Sequence, residues 1–151
     1  ALKRRFNIIV LPTPGDIDTE IEIVRKRVKE LAVNLDLQSA LPSEDAIAKV
    51  VTIFRELRTG MTLDSKEKIK PPSGVISTAE AISLLANSMA LAASFGKGKI
   101  TGEDIAAGLQ GAIVKDEEKD KLVWKEYIDN VLKKRGSEWR DLYNACKEMN
   151  M

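Results

Sequence analysis

Several short stretches of this sequence carry side chains whose types and spacing could do chemistry. Gly96-Lys-Gly-Lys99 has the look of a phosphate-binding loop. A working loop of that kind needs glycine, four residues, then Gly-Lys-Ser/Thr, so that backbone amides, lysine and hydroxyl all reach the nucleotide. Here Ala93 stands where the first glycine belongs, and Ile100 replaces the hydroxyl. No strand precedes it, so a turn between two helices is the better reading. The run from Lys115 to Lys121 holds four acids that could face a cation, but it lacks EF-hand spacing and a central glycine. Mixed signs at such close spacing read as a solvated face. Lys66, Lys68 and Lys70 alternate through a connector and could touch phosphates; without a basic helix or interleaved aromatics they read as a solvated loop. Arg4-Arg5-Phe6 is the strongest pattern, because an arginine at a rigid strand end can bind phosphate oxygens bidentately. By chemistry alone, a cationic strand terminus on a cut chain is the better reading.

Other chemistry is excluded by what is missing. The 151 residues contain no histidine and one cysteine, Cys146. Ser-His-Asp and Cys-His nucleophile systems, His-containing zinc sites and an intramolecular disulfide are therefore impossible in this chain. No metal site is expected. A lone cysteine fits a reducing, cytoplasmic setting. The net charge of +1 gives no bulk attraction to nucleic acid or an anionic membrane. No apolar run approaches the length of a membrane span.

The positioning elements begin with a strand over residues 6–11, Phe-Asn-Ile-Ile-Val-Leu, stopped by Pro12-Thr-Pro-Gly15. A continuous apolar strand prefers cover on both faces, as in an α/β sheet, and this one has no ladder partner here. The chain thus reads as cut from something longer. Everything after it reads as helix. Asp18 is a plausible cap for residues 19–33, with Ile21, Val24, Val28 and Leu31 as the apolar stripe. Ser43 caps a helix over 44–58 that Gly60 ends, burying Ile47, Val50, Val51, Phe54 and Leu57. Residues 61–76 connect it to a third helix, opened by a Ser77–Glu80 capping box and running to Phe95. Thr101 opens a fourth, with Ile105, Leu109 and Ile113 inward. A fifth spans Glu118 to Lys134 and buries Val123, Tyr127, Ile128, Val131 and Leu132. A sixth starts at Ser137 or Glu138 and carries Trp139, Leu142, Tyr143 and Cys146. Trp124, Tyr127, Trp139 and Tyr143 read as core or a helix–helix seam, except that Trp124 falls off its stripe and is the better candidate for a partner surface. The fold class is all-α: about six helices in a bundle, preceded by one strand that belongs to a missing α/β core.

In this order, Ala1-Leu-Lys-Arg-Arg-Phe-Asn7, a strand ending near a proline, then helices, the chain resembles the end of an AAA+ ATPase module of the MoxR-like branch. The first seven residues are similar to the Leu-x-x-Arg-Phe-Asp segment before the last core strand. Thr78 to Ala92 resembles the lid helix that begins Ser-Pro-Arg-Ala, and Gly98-Lys-Ile-Thr-Gly-Glu-Asp-Ile105 resembles the following Val-Thr-x-Glu-Asp-Ile helix start. The resemblance touches residues 1–15 and 77–113. It implies a division into strand and hinge (1–15), helical lid (16–114) and a C-terminal helical extension (115–151).

The resemblance further implies that Arg5 is an arginine finger reaching the γ-phosphate bound by a neighbouring subunit. The sensor-2 arginine of this branch falls on Ala79, which implies that the cis contact to nucleotide is either absent or supplied by Lys70. Walker A, Walker B and sensor-1 motifs would lie before residue 1, so ATP and Mg²⁺ belong to the full-length protein and this chain alone is not catalytic. The implied whole is a homo-oligomeric ring, commonly a hexamer, that performs chaperone-type remodelling, often with a von Willebrand factor A domain protein as partner. The alternative is a stand-alone helical protein–protein interaction module without nucleotide chemistry.

Overall fold

Helix α1 (Ile17–Asn34) starts where Asp16 leaves extended backbone and turns its carboxylate onto the chain ahead. Asp16 Oδ1 accepts the Thr19 amide at 2.8 Å and Oδ2 the Thr19 hydroxyl at 2.6 Å. The cap is therefore Asp16, two residues before the expected Asp18. Asp18 instead occupies the first turn, where an acid complements the helix dipole. The computed structural model describes residues 13–74 and 76–150. The expected strand over 6–11, together with Arg4 and Arg5, lies outside them.

Five more α-helices follow: α2 (Glu44–Thr59), α3 (Thr78–Phe95), α4 (Gly102–Ile113), α5 (Lys119–Asn130) and α6 (Arg140–Met149). Short 3₁₀ turns occupy Gln38–Ala40, Leu132–Lys134 and Ser137–Trp139. Ser43 caps α2 through its hydroxyl, and Gly60 closes it at φ +71°, a left-handed conformation that glycine adopts without strain. Capping boxes open α3 (Ser77 with Glu80) and α4 (Thr101 with Asp104), each satisfying two otherwise orphaned amides. The fifth helix is shorter than its sequence suggests. It stops at Asn130 and tightens into the 3₁₀ turn at Leu132–Lys134, a common way for an α-helix to end.

The helices bury one continuous core. α1 lies against α2 and α3, α3 against α4, and α4 against α6. Val24, Val28, Val50, Phe54, Leu57, Leu85, Met89, Leu109 and Ile113 are all within it. So is Trp124, fully buried and stacked on Tyr127 with ring centroids 5.7 Å apart. This corrects its assignment to a partner surface. The buried positions of α5 are 120, 123, 124, 127 and 128, a stripe that includes Trp124 once the helix ends before Val131. Among the described residues, no helix is long and apolar enough to cross a membrane.

α3 and α4 meet closely at Gly108. A Cβ built there would sit 2.7 Å from Cγ of Leu84, itself a core side chain. Overpacking of this kind costs about 1–3 kcal/mol, offset by at most ~1 kcal/mol from replacing a helical glycine. Gly108→Ala is therefore expected to lower the thermal midpoint, by about 2–4 °C per net kcal/mol in a chain of this size. A scan showing a raised midpoint would mean that the two helices have room to part.

Candidate functional site

Three buried carboxylates organise the polar interior, and each draws separate elements together. Glu20, on α1, is 1% exposed. Arg58 of α2 donates to both its oxygens, at 2.8 and 3.0 Å, and Arg55 Nη1 donates at 3.0 Å. The Thr78 hydroxyl, in the first turn of α3, donates at 2.8 Å. Burial alone would push the Glu20 carboxyl upward, but hydrogen bonds from Arg58 and Thr78, with the Arg58 charge, outweigh it and hold the acid below its ordinary range. Arg55 reaches further. Its Nη1 also donates to the Pro14 carbonyl at 3.0 Å and its Nη2 to the Gly15 carbonyl. Arg58 Nη1 in turn holds the Ile76 carbonyl at 3.2 Å. One acid and two arginines thus join the segment leading into α1 to α2 and to the start of α3.

Glu56, one residue after Arg55, faces the opposite way. It is 1% exposed and accepts from the Tyr127 hydroxyl, from Arg135 and from the Leu63 amide at 3.0 Å. Arg135 lies over the Trp139 ring, 4.1 Å from its centroid, in a cation–π contact. Glu56 thereby ties α2 to α5, to the turn after α2 and to the chain leading into α6. Burial, together with the Glu56 carboxylate, raises the Tyr127 hydroxyl well above its ordinary value.

Asp120 is the third. The stretch Lys115–Lys121 was expected to be a solvated face, yet Asp120 is fully buried. Its oxygens accept the Ser73 amide (2.7 Å) and hydroxyl (2.8 Å) and the amides of Lys115 (2.9 Å) and Asp116 (2.8 Å). Burial pushes its carboxyl up, but the amides of Asp116 and Ser73 more than compensate and hold it at about 2. A group so depressed stabilises the fold fully above the ordinary aspartate range and loses that contribution as pH falls from about 4 to about 2. Thermal midpoints measured across this window should fall less steeply in Asp120→Asn than in wild type. Equal slopes would show that the four hydrogen bonds do not favour the ionised acid.

The other singled-out residues do not converge on one place. Arg5 lies outside the described residues. Lys70 is exposed in the connector, and Ala79 is exposed in the first turn of α3. Gly96–Lys99 is an interhelix turn, with Gly98 at φ +77° donating its amide to the Ala92 carbonyl at 3.0 Å. Trp139 and Tyr143 are half-buried against the core. Cys146 is buried, and burial pushes its thiol up to about 12, far from the thiolate that reacts. Among the described residues, no three side chains of the metal-binding types come together. This set of side chains holds a frame rigid.

Residues 18–150 match the family described as "YehL-like AAA+ ATPase C-terminal domain". The chain belongs to that family. The expectation of an AAA+ ATPase C-terminal part, a lid-like helical bundle, is thereby met. The family domain also runs through α5 and α6, beyond the stretches 1–15 and 77–113 on which the resemblance rested. An uncharacterised protein of Escherichia coli (strain K12), YehL, is 29% identical over 149 residues, taking in 96% of this chain and 40% of its own length. The chain thus spans two fifths of that relative. No solved structure matches it.

Proposed function

We propose that the chain is the lid of a ring-forming, MoxR-like AAA+ ATPase, which couples ATP binding and hydrolysis to chaperone-type remodelling of partner proteins. The observation that carries this reading is the Glu20–Arg55–Arg58 junction inside a family domain of AAA+ ATPases. It welds the segment arriving from upstream to two lid helices, so that the bundle can swing as one body when an upstream nucleotide site changes state. ATP and Mg²⁺ fit poorly on the described residues, which offer no phosphate loop and no cluster of three metal-binding groups. They are assigned to the rest of the full-length protein. Arg5 is assigned to the neighbour's γ-phosphate. Arg55 and Arg58, both on α2, are engaged by Glu20 and Ala79 is uncharged; a cis contact to nucleotide is assigned to the exposed Lys70. The partners are neighbouring subunits, commonly six in a ring, and a protein with a von Willebrand factor A domain.

The test is ATP hydrolysis by the purified full-length protein, followed alongside its mass in solution with and without nucleotide. Turnover that rises with protein concentration as a ring assembles is expected. No hydrolysis would sink the ATPase reading in favour of a simple interaction module. Hydrolysis by a monomer would remove the ring and the trans role of Arg5.

A further inference from the structure

The segment before α1 contains the obvious swivel of the chain. Gly15 stands between Pro14 and the cap residue Asp16, and nothing lies within 4 Å of where its Cβ would be. A glycine so placed is the most pliable point of a connection. Yet its carbonyl, and that of Pro14 before it, are both occupied by the same guanidinium, that of Arg55. Arg55 is 16% exposed and is itself fixed by Glu20. Arginine's planar fork is suited to holding two acceptors on one chain while binding a carboxylate on another; lysine's single ammonium is not.

We infer that Arg55 is a clamp that removes Gly15 from the hinge, so that residues 14–20 travel with the helical domain and any rotation against a preceding domain turns at or before the Thr13–Pro14 bond. This rests on the lid reading for its purpose but not for its geometry. The clamp makes the connection short and stiff, and the angle set upstream is transmitted to α1 without slack. It also couples α2 to the same motion, because α2 owns the guanidinium. Arg55 is a positioning residue: it acts on the backbone of the connection and not on a reacting atom.

The experiment uses the full-length protein with one spin label at Leu122, which is exposed on α5, and another on the surface of the nucleotide-binding part. In wild type the inter-label distance distribution should be narrow and should move as a whole between ADP and a non-hydrolysable ATP analogue. Arg55→Ala should replace it by a broad one, with amides of residues 17–20 exchanging with solvent about tenfold faster. Arg55→Lys keeps the charge beside Glu20 but cannot fork, and should restore stability more than it restores the narrow distribution. If Arg55→Ala does not fold, the lysine variant carries the comparison. Wild-type width and wild-type exchange in the folded variant would overturn the clamp. A wild-type distribution indifferent to nucleotide, with exchange still responding to Arg55, would support the clamp while overturning the lid reading.

Discussion

Replacing Glu20 by alanine is expected to remove about 3–5 kcal/mol of folding stability, the usual loss when one member of a buried ion pair is deleted and its partner remains. The carboxylate is 1% exposed and serves three side chains at once. Its loss leaves two guanidiniums facing each other with no anion between them. Arg55 and Arg58 keep 16% and 17% exposure, and that access to water moves the loss toward the lower end of the range. Even ~3 kcal/mol is a large share of the 5–15 kcal/mol that holds an ordinary domain together. Glu20→Gln keeps acceptors for Thr78 and one arginine but no charge, and should fall between the two. Urea unfolding with an unchanged m-value measures the difference. A Glu20→Ala protein within ~1 kcal/mol of wild type would mean that the arginines find water as readily as they found the acid.

Replacing Arg5 by alanine in the full-length protein is expected to lower ATP turnover by ~10³–10⁵, the contribution of an arginine that meets developing charge on a transferred phosphoryl group. On the proposed reading the arginine serves the neighbouring subunit's nucleotide, so the loss belongs to kcat while nucleotide affinity changes little. Complementation separates a trans role from a structural one. Mixed rings of the Arg5→Ala protein and a variant crippled in its own nucleotide site should regain part of the turnover, because intact sites then meet intact fingers. If the single variant assembles and turns over ATP at the wild-type rate, the finger lies elsewhere.

The helices were legible in the sequence because apolar spacing and caps agree. Every inward residue named for α2 and α4 is buried, and the caps at Ser43, Ser77 and Thr101 are in place. The two misread boundaries have local causes. Asp16 and Asp18 are both competent caps, and only the Thr19 hydrogen bonds decide between them. Extending α5 to Lys134 shifted its apparent stripe toward Val131 and Leu132 and pushed Trp124 off it. The carboxylate junctions were missed because an acid in a charged helix is taken as solvated by default. A signal was present for Glu20, which stands four and eight residues before Val24 and Val28 and so continues their face. Its partners could not be found the same way: Arg55 and Arg58 are 35 and 38 residues distant, and only the packing of α1 on α2 brings them near. Asp120 carried the same sign, standing three and seven residues before Val123 and Tyr127, but its donors are mostly backbone amides, which no side-chain pattern reveals.

The Arg135–Glu56 contact sets where this protein can be shortened. A chain stopped at Asn130 would retain Tyr127 but strand Glu56 in the interior without its cation. The residues after Asn130 act less as an appendage than as a plug, setting Arg135 between Glu56 and Trp139. Shortening is bounded at both ends, by Arg135 on Glu56 from one side and by Glu20 on Arg55 and Arg58 from the other.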